Sequence, residues 1–469
     1  MIRYNFAEHY QYKTSKNNRE VFMKFRVLVF ALALCVLFSG AAEAKSSLVS
    51  GSLPNGVKVY VLEDHNNPLV ALQIWVKTGG VNESYKTRGM SHFLEHLLFK
   101  GTKKRKVGEI DRELDAIGAY NNAATYYDYT YFQATGASCY FDKMLDIEVD
   151  GVLNSALDTE EVEKERKVVI EEIKMGQDQP FRVLYKAIHK NLFDNLPYAY
   201  PVIGFQNIIE TVPREVIYDY YKEKYNPKNM IVVVVGDIKP EAALAKVSDA
   251  FKNITSDFGP NEKIDGSFEE KIEKPRFQEI KMDVEKTYLS ITYRGVPRES
   301  DDVAALDVLS TILGGGESSR LNQLLKEKNK VVESVMNTSW NFRSSGAFVT
   351  MMVLDSHNAE KAKELFFKDI EAIKGGSIKP EELDKAKNQI ETSYILAHQN
   401  YEGMAEYIGE TITLSSDAKL NSYLDDIKKV TKEDLKKAAE KYLYPEGYSM
   451  VVINPVKKIE KKGSVKGEK

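Results

Sequence analysis

The sequence predicts a chain that uses one α/β unit twice, and three observations lead there. The 469 residues, 43% hydrophobic and 29% charged, are enough for two or three globular domains. Two anchors recur at one spacing: Leu72 in "LQIWVK" matches Leu289 in "LSITYR", and Tyr225 before "NPKNMIVVVVGDI" matches Tyr442 before "LYPEGYSMVVINP", each pair 217 positions apart. Between the copies lies "SDFGPNEKIDGSFEEKIEKP", residues 256–275, rich in Gly, Pro and charge, which reads as an inter-domain linker. This division gives a first domain over 45–255, a second over 276–456 and a basic, disordered tail over 457–469.

In the first copy, "VKVYVLEDHNNPLVALQIWVKTGG" alternates apolar and polar residues about a turn-rich centre and reads as a hairpin. "TRGMSHFLEHLLFKGT" and "GEIDRELDAIGA" read as helices, "ATYYDYTYFQATG" as a strand, "EEVEKERKVVIEEIKM" as a helix and "NMIVVVVGDI" as a buried closing strand. The second copy keeps the order: "TYLSITYRGV" as strand, "DDVAALDVLSTILGG" as helix, "GYSMVVINP" as closing strand.

The segment from Met23, "MKFRVLVFALALCVLFSGAAEAKSS", has a basic start, an apolar run from Val27 to Phe38 and a small-x-small site at Ala42–Ala44. It reads as a signal segment within residues 1–44, with translation starting at Met23 and cleavage after Ala44. The run is short for a membrane span, so the mature chain is expected to carry none. Removal of Cys35 leaves Cys139 alone, which fits an exported protein without internal disulfides, in a bacterial periplasm or outside the cell. A net charge of -4 gives no reason to expect a nucleic-acid partner.

Chemistry concentrates in "MSHFLEHLLFKGT". His92 and His96 are four apart on a helix and share a face, where two imidazoles can approach one Zn²⁺; Glu95 lies on the same side and could act as general base on a water at the metal. The alternative is that each histidine is a satisfied core residue, since Phe93, Leu94, Leu97 and Leu98 form an apolar face. At the repeat offset His92, Glu95 and His96 fall on Leu309, Ile312 and Leu313, so one copy carries polar groups where the other carries core. A third ligand is sought on "EEVEKERKVVIEEIKM", where Val162, Glu165, Val169 and Glu172 share a stripe. A carboxylate on such a stripe is costly unless paired or metal-bound. Glu161, Glu163 and Glu171 read as a solvated face.

"HFLEH" is the inverted zincin pattern H-x-x-E-H, and with Glu172 downstream the chain resembles the pitrilysin family. The likeness extends over "NAATYYDYT", "ERKVVIEEI", "YNPKNMIVVVVGD" and, in the second copy, "LGGGESSRL". It is similar to the bacterial processing-peptidase-like branch, related to the mitochondrial processing peptidase beta subunit. The resemblance implies an α+β fold of two homologous domains, each an antiparallel sheet packed with helices. It implies one Zn²⁺ per chain held by His92, His96 and Glu172, Glu95 as general base, Glu165 as a carboxylate orienting a ligand, and the strand with Asn122 and Ala123 as the edge that takes peptide substrates. The ligand set by itself does not exclude manganese or cobalt.

Many family members carry an arginine and, seven residues later, a tyrosine that reach the substrate from the second half. Here Lys326 and Glu333 stand at those positions. Lysine lacks the guanidinium fork, and a carboxylate cannot donate a hydrogen bond to an oxyanion. One reading is a catalytic subunit of a heterodimer whose zinc-less paralogous partner supplies Arg and Tyr; the other is a chain that works alone or as a homodimer. A non-catalytic peptide-binding subunit is the main competing function, and the intact H-x-x-E-H argues against it.

Overall fold

The structure is a computed structural model that describes residues 48–194, 196–261 and 272–456. The proposed signal region, residues 262–271 of the proposed linker and the basic tail lie outside these residues. Two sheets organise the described chain. The first has six strands, β1 (Leu48–Ser52), β2 (Lys58–Glu63), β3 (Leu69–Val76), β4 (Tyr120–Thr125), β5 (Thr130–Ala137) and β6 (Met230–Gly236), in the order β1-β2-β6-β3-β5-β4. The second has β7 (Arg276–Met282), β8 (Thr287–Gly295), β9 (Ser334–Asn341), β10 (Gly346–Leu354) and β11 (Tyr448–Pro455), in the order β7-β11-β8-β10-β9.

The second sheet repeats the first without β1. Each is antiparallel except for one parallel pair, β2 with β6 and β7 with β11. Even the register recurs: Lys58 faces Ile231 and Arg276 faces Ser449, and both residues of the second pair lie 218 positions after those of the first. Two expected elements differ. β2 and β3 do not form a hairpin, because β6 lies between them and pairs with both. Its Met-Ile-Val-Val-Val-Val run is buried at every position, so a central place removes more apolar surface from water than an edge would. The segment "ATYYDYTYFQATG" is not one strand; it turns between β4 and β5. Asp128 holds that turn, accepting hydrogen bonds from Tyr198 Oη at 2.8 Å and the Arg343 amide at 3.1 Å.

Six helices build the site and join the two halves: α1 (Met90–Leu98), α2 (Thr159–Gln177), α3 (Pro180–Phe193), α4 (Val303–Gly314), α5 (Pro380–Ala397) and α6 (Tyr401–Leu414). The two halves exchange a helix. α3 of the first half packs on β7, β8 and β11, burying Leu184, Ile188 and Leu192 with Val349, Val451 and Ile453. α6 of the second half packs on β3 and β6, burying Ile408 and Ile412 with Trp75, Ile231 and Val233. The opposite face of the first sheet carries α1, α2 and the largest apolar cluster of that half. Leu309, Ile312 and Leu313 on α4 are core residues, as their apolar character requires.

Candidate metal centre and peptide-binding edge

The site is built on α1 and α2, which pack against each other beside β4. α1 starts at Gly89, whose φ of 95° places it in the left-handed region, with the backbone of Ile203 and Gly204 so close that a Cβ would lie 2.7 Å from the Ile203 carbonyl oxygen. The first turn of α1 is capped by Glu83, whose carboxylate accepts from the Gly89 amide at 2.8 Å and the Ser91 amide at 2.7 Å. A carboxylate there satisfies two free N–H groups and suits the positive end of the helix dipole. α2 starts at Asp158, which accepts from the Glu160 amide at 2.9 Å. Val162 and Val169 on α2 are fully buried, and this turns Glu165 and Glu172, on the same stripe, toward α1.

One ligand-capable atom from each of His92, His96 and Glu172 lies within 4.8 Å of the other two. His92 Nε2 is 3.6 Å and His96 Nε2 3.8 Å from Glu172 Oε2. Donors about 2.0–2.1 Å from a tetrahedral Zn²⁺ stand roughly 3.3–3.5 Å apart, so this trio needs only small side-chain adjustments to hold such an ion. Burial, with the nearby His96, depresses His92 to about 3 and keeps it in the neutral form a metal requires. The two histidines are held differently. His96 Nδ1 lies 3.4 Å from Glu165 Oε2, and the other Glu165 oxygen pairs with Lys100 Nζ at 3.0 Å. Among the described residues His92 Nδ1 is buried and has no hydrogen-bond partner.

Glu95 stands beside the trio without joining it. Thr125 Oγ1 donates to Glu95 Oε2 at 2.5 Å, while burial raises the Glu95 carboxyl above the usual range, opposed by the Thr125 hydrogen bond. A raised carboxyl is suited to taking up a proton near neutral pH. Among the described residues β4 pairs only with β5, which leaves its other side open to an added strand. Asn122 and Ala123 are both on it. Thr125 faces the metal helix and Ala123 the same core, whereas Ala124 packs with the cluster under α6. Tyr127 and Tyr129 are buried, Tyr129 against Trp75 with ring centroids 4.9 Å apart, so their role is packing; Tyr126 is 46% exposed.

Two family models divide the chain between them: "Insulinase (Peptidase family M16)" matches residues 58–205 and "Peptidase M16 inactive domain" matches residues 211–390. The chain belongs to peptidase family M16. Among M16 relatives it is 29% identical to an "Uncharacterized zinc protease YmxG" of Bacillus subtilis (strain 168), covering 86% of this chain and 97% of that one. It is 23% identical to a "Probable mitochondrial-processing peptidase subunit beta" of Arabidopsis thaliana, over 86% and 78% of the two chains. A crystal structure of a protease from Helicobacter pylori superposes with a TM-score of 0.81 at 25% identity, over 87% of this chain and all of that one. These relatives support zinc-type M16 peptidase activity. The "inactive domain" model falls on the half in which Leu309 and Leu313 stand at the positions of the histidines.

In this M16 chain Lys326 pairs with Glu317 at 3.1 Å and Glu333 with Lys286, so both are engaged within the second half. Thr125, Lys100 and Glu83 are parts of the site that sequence reasoning missed. Lys100 lies four residues after His96, and Thr125 two after Ala123 on an alternating strand, so both carried a periodicity signal. Glu83 carried none, because its role depends on a loop folding back onto α1. Among the described residues no helix is long and apolar enough to cross a membrane.

Proposed function

We propose that this chain is a zinc endopeptidase acting on short or unfolded peptides, with the metal held by His92, His96 and Glu172. The observation that carries the reading is the meeting of those three donors, from two helices 76 residues apart at His96 and Glu172, with Glu95 beside them and an open strand edge next to Glu95. Bound there, zinc would supply Lewis acidity to the scissile carbonyl and to the attacking water. A peptide adds to β4 through backbone hydrogen bonds along Asn122 and Ala123, which explains affinity with modest side-chain selectivity. Glu95 takes the proton of the water and later delivers it to the leaving amine. Thr125 holds Glu95 in place for that transfer, and Glu165 orients His96.

The second half offers Lys326 and Glu333 where a guanidinium and a phenol would stabilise the oxyanion, and both are tied up in local ion pairs. We therefore propose that the chain is the catalytic subunit of a heterodimer, with a zinc-less paralogous chain supplying Arg and Tyr. The signal-like segment supports export, to a periplasm or beyond the cell. The test is peptide hydrolysis by the purified chain with zinc assayed on the same sample, alone and with a zinc-less paralogue. Chelator-sensitive cleavage that Glu95→Gln abolishes is expected, and strong cleavage by the chain alone would remove the need for the partner.

A further inference from the structure

Next to the metal centre is a cavity of roughly 350 Å³, walled by α2, α3 and the segment 201–203. Among the described residues Glu172 is its only carboxylate, and Arg182 and Lys186 are its cations, four residues apart on one face of α3. Gly176, one turn after Glu172, faces the same space: a Cβ there would make ordinary contacts, 3.6 Å from Arg182 Cδ and 3.7 Å from Lys186 Nζ. The cations are close together and poorly neutralised. Arg182 Nη1 is 3.9 Å from Glu172 Oε1, beyond hydrogen-bond range, and among the described residues Lys186 has no ion pair. Burial, then repulsion from Arg182, lowers Lys186 below the usual lysine range.

With the Glu172 charge committed to a divalent ion, two positive groups line a cavity with no other carboxylate among the described residues. We propose that this cavity is a carboxylate-binding subsite, taking an acidic side chain or the terminal carboxylate of a peptide that lies across the metal centre. The proposal rests on the peptidase reading of the metal centre. The volume suits one side chain with some backbone. Tyr127 and Tyr185 form an apolar wall for methylene groups, and the Arg182 fork, half exposed, can turn onto both oxygens of a carboxylate. The chain would therefore discriminate among substrates by charge at one position, beside the modest selectivity of the strand edge.

The test uses the zinc-loaded Glu95→Gln protein, so that peptides stay intact, and reads binding by fluorescence anisotropy. Amidated peptides identical except for Glu, Gln or Lys at each position near the cleavage site are compared, with a free-acid version of the Gln peptide added. About tenfold tighter binding of Glu over Gln at one position is expected, with Lys weaker still. Tighter binding of the free acid alone would assign the carboxylate to the chain end. Arg182→Glu with Lys186→Glu should reverse the order, and Gly176→Leu, which fills the cavity, should erase it while zinc stays bound. Equal binding of all the peptides overturns the subsite, even if the wild-type chain cleaves them all. Charge-selective binding without any cleavage by the wild-type chain, either alone or with a zinc-less paralogue, would keep the subsite and defeat the peptidase reading.

Discussion

Gly409→Ala should loosen the joint between the two halves. Gly409 lies on α6 against Trp75 of β3, and a Cβ there would stand 2.1 Å from Trp75 Cε2 and 2.2 Å from Nε1. The indole cannot yield: it stacks on Tyr131 with centroids 4.6 Å apart, and its Nε1 donates to Gln73 at 2.9 Å. Gln73 in turn donates to the Glu402 carbonyl on α6 at 3.3 Å. Ordinary carbon contacts are about 3.5 Å, so α6 must lift by more than about 1 Å, and a gap of that size forfeits up to half of each contact it opens. Applied to Ile408 and Ile412, each worth about 2–3 kcal/mol when buried, and with smaller losses at Ala405 and Leu414, the cost is roughly 3–5 kcal/mol. Better helix propensity returns about 1 kcal/mol, leaving a net loss of roughly 2–4 kcal/mol. Calorimetric unfolding at a fixed scan rate should show a clear fall in midpoint, with Trp fluorescence altered before unfolding. A variant as stable as the wild type would refute the seating of α6 on the first sheet, and with it the helix exchange.

Other predictions concern the metal and pH. Glu165→Gln removes the charge behind His96 and should weaken zinc binding about 10- to 100-fold in a chelator competition, with stoichiometry at saturation unchanged; an unchanged affinity would show that Glu165 serves only Lys100. Glu148, on the helix Phe141–Leu153, is buried with Oε1 unpartnered among the described residues, and burial pushes its carboxyl up to about 8. Its folded value lies above the unfolded one, so its contribution to stability is complete below about pH 4.5 and is lost as pH rises through about 8. Across that window the loss is on the order of 3–5 kcal/mol, and Glu148→Gln should flatten the pH dependence of the unfolding midpoint; an unaltered profile would contradict this. Thr125→Val should slow hydrolysis without displacing zinc, since of the metal-centre residues it frees Glu95 and no proposed ligand; loss of zinc would mean that Thr125 supports the metal instead.

Periodicity made much of the fold and the site readable. The 217-residue echo became two sheets of matching order and register, and the α2 stripe placed Glu165 and Glu172 toward α1 because Val162 and Val169 need burial. What failed was partner choice between strands. Alternation identifies β2 and β3 but cannot show that a strand some 160 residues later inserts between them, since pairing is settled by burial of the whole sheet. The turn at Asp128 was hidden for a similar reason: its hydrogen-bond partners, Tyr198 and Arg343, lie far along the chain. The exchange of α3 and α6 left no local mark, because an amphipathic helix reads the same whichever sheet it covers. The H-x-x-E-H motif named the histidines and Glu95 together; the Arg182–Lys186 pair stood in the open on α3 and acquired meaning only beside Glu172.

The most direct test is zinc stoichiometry in the purified wild-type chain and in two variants, Glu172→Ala and Glu95→Gln. One zinc per chain is expected in the wild type, almost none in Glu172→Ala and one in Glu95→Gln, which separates ligand from base. Full zinc in Glu172→Ala, or its loss in Glu95→Gln, would contradict the assignment of the site.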